Sequence, residues 1–214
     1  LGSRGLGDVY KRQNPESGMS YAKELSEITG YAMATGFGLT THYYNTKHGL
    51  IPEEAVSFCT IPDYVAFSIA REKAPLLHQS MAASLGVYDI QKGCFDTEAI
   101  ERAGMDIRML PQVTKENALC GKTAEGIPVA VSLGDNQASF LGSVNEECKV
   151  LLNVGTGAQL SAYSEKIAEG ENLECRPYVG DSWLLAGSAL CGGYAYSLMK
   201  RFFEETLELS LIHI

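Results

Sequence analysis

The stretch from Ile127 to Tyr163 (IPVAVSLGDNQASFLGSVNEECKVLLNVGTGAQLSAY) limits most sharply what this chain can fold into. It holds two short apolar runs, and each stops at a polar turn that carries glycine. Pro128–Leu133 ends in Gly134-Asp135-Asn136-Gln137, and Val150–Val154 ends in Gly155-Thr156-Gly157. Apolar runs of this length, bounded by turn residues, read as buried strands. Proteins of the α/β class place ligands just beyond the C-terminal ends of such strands. The first turn offers a carboxylate. The second offers backbone N–H groups with no side chain in the way, which suits phosphate.

Asp135 follows a glycine at a strand end and opens an expected helix over Asn136–Leu141. Two roles suit an aspartate there. It can cap the helix by accepting a backbone N–H, or it can serve as a general base within hydrogen-bond reach of a reacting hydroxyl. Spacing alone leaves both open.

With 214 residues, 45% of them hydrophobic and 20% charged, the chain can bury a sizeable core. A net charge of -9 argues against nucleic acid as a partner, because phosphate backbones call for a basic face. No apolar run approaches the roughly 18 residues that span a bilayer, and the N-terminus lacks a signal peptide's order of charge then apolarity. Cys59, Cys94, Cys120, Cys148, Cys175 and Cys191 stand singly, without C-x-x-C spacing. They read as reduced, buried thiols of a cytoplasmic protein.

The two ends are read apart from the rest. Asp8–Gln13 (DVYKRQ) can be encoded by GAT GTG TAT AAG AGA CAG, whose reverse complement translates as LSLIHI, the sequence of Leu209–Ile214. That string resembles the transposon-end adapter of sequencing libraries. Residues 1–13 and 209–214 are therefore expected to be translated adapter, and 14–208 an internal piece of a longer protein.

In chain order, Met19–Ile28 is expected to make one or two helical turns. Thr40–Lys47 (TTHYYNTK) reads either as a helix start with Tyr43 and Tyr44 on a core, or as a wall of a polar ligand pocket. His42, inside it, is first a packing histidine and second a ligand contact. Pro52–Phe58 is expected as a short helix with Glu53 and Glu54 in its first turn. Ile61–Ala70 reads as a helix with Asp63 complementing its dipole. The small residues of Ser80–Ser84, then Gly86, allow close backbone approach. Asp96–Ala103 is an amphipathic helix ended by Gly104. Tyr178–Leu190 reads as a strand pair or one long strand. Gly192-Gly193 opens a helix to about Glu208, with Tyr194, Leu198, Phe202 and Phe203 on its core face.

Gly155-Thr156-Gly157 falls between two β-like runs, Val150–Val154 and Gln159–Tyr163, and so reads as a hairpin turn. No Gly-Lys-Ser/Thr follows, and the turn feeds a strand instead of a helix, so it is not a Walker loop. Strand, glycine turn, strand, strand, helix is the opening order of the ribonuclease-H-like half domain of actin-like ATPases, in which the hairpin turn holds phosphate.

With these pieces in hand, the chain resembles the FGGY carbohydrate kinases. The matching segments occur in family order: Thr35-Gly36-Phe37-Gly38, Asp63-Tyr64, Ala82-Ala83-Ser84 with Gly86, Leu110-Pro111, Gly134-Asp135-Asn136-Gln137-Ala138-Ser139, Gly155-Thr156-Gly157, and Ala186-Gly187 with Gly192-Gly193. Within the family, the first, third and fifth look most like members that phosphorylate sedoheptulose; xylulose, ribulose and glycerol stand behind that sugar. Gln79 stands where many members carry an aspartate, and Ser197 where glycerol kinases carry a glutamine near the nucleotide.

The resemblance implies an α/β, actin-like (ribonuclease-H-like) two-domain fold, here partial. Residues 14–143 would be the latter part of the N-terminal domain and 148–208 the start of the C-terminal one, with 142–147 crossing between them. It implies ATP and Mg²⁺, a small-molecule sugar, neither nucleic acid nor membrane as partner, and room for a homo-oligomer. Asp135 would be the base and would touch the sugar along with Asn136 and His42. Gly155, Thr156, Gly157 and Gly193 would hold the nucleotide. The resemblance implies no protein metal ligands. A non-catalytic actin-like nucleotide switch is the reading from another class.

Overall fold

A computed structural model describes residues 14, 17–155, 157–189 and 191–212, with side chains described through 208. It comprises two compact units. The first holds the described residues up to Asp135 together with Pro177–Asp181; the second holds Asn136–Arg176 and the chain from Ser182 onward. Residues 1–13, expected as adapter, lie outside the described residues.

In the first unit, helix α1 spans Tyr21–Thr29, α2 Gly38–Lys47 and α3 Ile61–Ile69. Strand β1 (Leu76–His78) runs straight into α4 (Gln79–Leu85) and pairs in parallel with β4 (Gln112–Thr114). Between them lie the antiparallel pair β2 (Tyr88–Asp89) and β3 (Cys94–Phe95), then α5 (Thr97–Arg102) and a 3₁₀ turn at Ile107–Met109. A second hairpin joins β5 (Leu119–Lys122) to β6 (Pro128–Ala130). Local chemistry sets the helix ends. Ser20 accepts the Lys23 N–H at the start of α1, Gly30 at φ 80° closes it, and Asp96 accepts the Ala99 N–H to start α5. The core gathers Leu25, Leu39, Tyr43, Leu77, Met81, Leu85, Val87, Phe95 and Ile100. Burying each such side chain stabilises the fold by about 1.5–3 kcal/mol.

Two of the matched segments interlock inside this core. A Cβ on Gly38 would stand 2.5 Å from Leu85 Cδ2, and one on Gly86 would stand 2.4 Å from Met33 Cε and 3.2 Å from Phe37 Cβ. Gly86 also sits at φ 90°, which disfavours any side chain. Gly38 and Gly86 therefore let α4 and its C-terminal end lie close against the start of α2 and the segment before it.

Several expectations are corrected. Pro52–Phe58 makes a turn, not a helix: Ala55 N–H reaches Pro52 O, and the chain then extends so that Phe58 N–H bonds to Met109 O. One turn with Val56 in solvent has nothing to offset helix nucleation. Asp63 stands in the first turn of α3, where a carboxylate complements the helix dipole, but it does not lie at the surface. It is buried and accepts the Thr60 hydroxyl at 2.6 Å, while Ile61, Tyr64, Val65 and Ile69 of the same helix face outward. Burial pushes its carboxyl above the ordinary range, against hydrogen bonds from Thr60 and Ser132. The Pro128–Leu133 run supplies a half-exposed hairpin strand in place of a buried one. The six cysteines are free, as expected, but Cys94, Cys148 and Cys191 are exposed and the rest half-buried.

The second unit opens with α6 (Asp135–Ser143), whose first residue belongs to the first unit. Its sheet runs in the order β7 (Val150–Val154), β8 (Ala158–Ser164), β10 (Trp183–Ala189), β9 (Glu174–Pro177). The expected hairpin is present, β7 pairing antiparallel with β8 from Val150↔Ala162 to Val154↔Ala158. Contacts divide the units at Asp135/Asn136, within α6, and Asn136 is bonded to Ser161 of β8. Helix α7 (Gly193–Ile212) runs past the expected end at Glu208. Its expected core face is solvent-exposed, Tyr194 by 63% and Phe202 by 60%. An apolar stripe states which side of a helix seeks a partner, not that the partner is at hand.

Candidate active site

The turn carrying Asp135 is built in the first unit. Asp135 is exposed and is the first residue of α6. Its predecessor, Gly134, donates its N–H to Ser80 Oγ at 3.0 Å. Ser80 is buried near the start of α4, and its hydroxyl lies 2.8 Å from His78 Nδ1. Sequence reading passed over His78 and took Ser80 only for its small size. The available signal was His-Gln-Ser directly after the apolar pair Leu76-Leu77, a polar cap where a strand turns into a helix. Gln79 uses both amide hydrogens on backbone carbonyls, Tyr178 O at 2.5 Å and Gly180 O at 2.7 Å. A carboxylate at that position could donate to neither.

His42 lies on α2, 8% exposed, with its ring stacked on Phe58 at 4.6 Å between centroids. Burial holds it below the ordinary histidine range, while the Asp106 carboxylate pulls the other way. Its Nε2 has no hydrogen-bond partner among the described residues. A buried polar atom left so costs about 1–3 kcal/mol. The packing role is thus realised.

Burial lowers His78 in the same sense. In both rings burial favours the neutral form. Their stabilisation is fully present above the ordinary histidine pKa, about 6.5, and is lost as pH falls from there toward the depressed folded values. The slope tends to about 1.4 kcal/mol per pH unit for each ring. Asp63, whose carboxyl is raised, acts in the opposite direction. A His42→Phe variant, which keeps a ring against Phe58, isolates one contribution. Urea denaturation between pH 7.5 and 5.5 should show a shallower acid decline in the variant; equal slopes in the two proteins refute the assignment.

The second glycine turn is knitted to α7 inside the second unit. Gly155 N–H donates to Gly157 O at 2.8 Å, and Gly193 N–H donates to Gly155 O at 2.6 Å. The approach is so close that a Cβ on Gly192 would stand 2.4 Å from Gly157 O and 2.6 Å from Gly157 C; one on Gly193 would stand 2.8 Å from Gly155 O. Glycine is needed at both for steric reasons. Three of the expected nucleotide residues, Gly155, Gly157 and Gly193, are therefore brought together, while Thr156 lies outside the described residues. The 20-residue α7 directs the positive end of its dipole at this turn. Ser197 Oγ donates back to Gly193 O at 2.9 Å, within the first turns of the helix. Asn136, expected at the sugar, donates its amide to Ser161 Oγ at 3.1 Å.

Comparison with known proteins bears on both halves. The description "FGGY family of carbohydrate kinases, N-terminal domain" matches residues 16–142. The sedoheptulokinase of Mus musculus is 31% identical over 141 residues, covering 61% of this chain and 29% of that protein. The sedoheptulokinase of Homo sapiens is 30% identical over the same coverage. The chain thus spans 29% of the length of these relatives. Among solved structures, a glycerol kinase of Plasmodium falciparum with ADP superposes with a TM-score of 0.66 at 16% identity, covering 95% of this chain and 42% of that one. A xylulose kinase of Rhodospirillum rubrum gives 0.65 at 15% identity, covering 85% and 39%. These structures share the fold, and the chain holds part of an actin-like two-domain architecture.

Proposed function

Because this chain belongs to the FGGY family of carbohydrate kinases, we propose that the protein containing it transfers the γ-phosphoryl group of ATP to a hydroxyl of a small sugar, sedoheptulose before xylulose, ribulose or glycerol. The similarity to the mouse and human sedoheptulokinases supports that order of sugars. The observation that carries the reading is Asp135. It is an exposed carboxylate on a turn whose preceding amide is fixed by a buried side chain. Phosphoryl transfer asks for positioning and charge stabilisation more than covalent chemistry. Asp135 accepts the proton that the sugar hydroxyl loses as its oxygen attacks phosphorus. Asn136 and His42 contact other hydroxyls; for His42, the support is the buried Nε2 without a hydrogen-bond partner among the described residues.

The nucleotide phosphates are assigned to the turn of Gly155, Thr156 and Gly157 and to Gly193 at the start of α7. The support is the glycine-only approach at Gly192 and Gly193 and the dipole of a long helix. Among the described residues, no three His, Cys, Asp or Glu side chains gather as a metal site would need. Mg²⁺ is assigned as an ion brought by ATP, which needs few protein ligands.

The test is a sugar panel assayed for ADP release by the full-length enzyme. Turnover that depends on sedoheptulose supports the reading. Dependence on another sugar moves the substrate while keeping the chemistry. ATP hydrolysis indifferent to every sugar would favour the actin-like switch. No helix of the described residues is long and apolar enough to cross a membrane.

A further inference from the structure

Ser80 and His78 form a buried polar pair that the chemistry above does not use. His78 is fully buried at the end of β1, and Ser80 is 5% exposed. Hydrogen-bond accounting fixes the direction of each bond. Ser80 N–H donates to His78 Nδ1 at 3.2 Å, so that nitrogen carries no proton. The Ser80 hydroxyl, 2.8 Å from the same nitrogen, must donate its own hydrogen to it. The oxygen's lone pairs are then turned away from the ring, and one of them receives Gly134 N–H at 3.0 Å. His78 Nε2 has no hydrogen-bond partner among the described residues, and the Lys115 backbone acts on the ring against the effect of burial. Burial favours the neutral ring, which the arrangement requires.

We infer that Ser80, oriented by His78, is a positioning residue that fixes the Gly134 amide and thereby the backbone from which Asp135 reaches the sugar hydroxyl. The inference rests on Asp135 being the base. The Gly134–Asp135 turn leads from a short, half-exposed hairpin strand into a helix. It has no buried strand behind it to hold its register. A single buried acceptor one residue before the base supplies what the strand does not. A misplacement of about 1 Å can cost on the order of 10²-fold in rate. A hydroxyl held on one side by a histidine nitrogen and on the other by the Gly134 N–H resists rotation better than a free serine rotor.

The experiment uses the full-length enzyme with Ser80→Ala, Ser80→Cys and His78→Asn. Cysteine keeps the size of serine but is a poor acceptor, and it serves if alanine fails to fold. Asparagine retains a cap acceptor for the Ser80 N–H and hydroxyl. Ser80→Ala and Ser80→Cys are expected to lower kcat about 10- to 100-fold, with KM for ATP unchanged. The Gly134 amide should lose hydrogen-exchange protection in both. His78→Asn should keep most of kcat and of that protection. A folded Ser80 variant with wild-type kcat overturns the inference, as does a kcat loss that vanishes once the variants are assayed at equal stability. Asp135→Asn separates this from the underlying assignment. If that variant turns over normally, the base reading fails. If it is inactive while folded Ser80 variants are not, only the positioning role fails.

Discussion

Asp135→Asn is expected to lower kcat by at least the 10²–10⁴-fold that general base catalysis typically contributes, while sugar binding, read by titration calorimetry, is largely kept. Asparagine is the informative replacement because it matches aspartate in size and shape at the first residue of α6, so the helix should still begin at residue 135 and the fold should hold. Asparagine cannot take a proton from a hydroxyl at neutral pH. Loss of turnover with retained binding therefore isolates proton transfer. A variant with near-normal turnover would leave Asp135 with the helix alone.

The second large effect is expected at Gly192→Ala. The new methyl would meet Gly157 O at 2.4 Å, Gly157 C at 2.6 Å and Ala158 N at 3.0 Å, all of them backbone. Side chains can swing aside, but a hairpin turn bonded to α7 through Gly193 N–H and Gly155 O cannot. Relief requires moving the turn, the helix start, or both. Overpacking of this kind costs about 1–3 kcal/mol, and a phosphate cradle displaced by about 1 Å costs on the order of 10²-fold in rate. ATP binding should weaken while sugar binding does not. Gly142→Ala is the control, since a Cβ there meets nothing within 4 Å. Equal ATP affinity in the Gly192 and Gly142 variants would remove the cradle from the nucleotide site.

What could be read from the residues follows the range of the forces involved. The β7–β8 hairpin, α2, α5 and α6 announce themselves through turn glycines, caps and short periodic runs, all local in sequence. Asp63 did not. Its pattern marks the first turn of a helix, but which face of that helix is buried depends on β1, β5 and β6 arriving from elsewhere. The outward stripe of α7 is the mirror case, a correct periodicity with the wrong inference of cover. Pro52–Phe58 had helix-start chemistry without the length to sustain it. In the candidate site, Asp135 and the Gly155–Gly157 turn were visible because their glycines punctuate the chain. Ser80 was invisible because its partners lie 2 and 54 residues away, and only folding brings the latter within reach.

The bonds from Gln79 to Tyr178 and Gly180 also bear on how the protein is made. Donor and acceptor stand 99 residues apart. On the ribosome, at about 5–20 residues per second, the first unit, complete up to Asp135, waits about 2–8 seconds for Pro177–Asp181 to follow. By then the β7–β8 hairpin has already emerged. The first unit therefore cannot be finished before β7 and β8 of the second have been synthesised. Until the loop arrives, the Gln79 amide lacks both of its acceptors, and a nascent chain stalled before Pro177 carries that defect in its core.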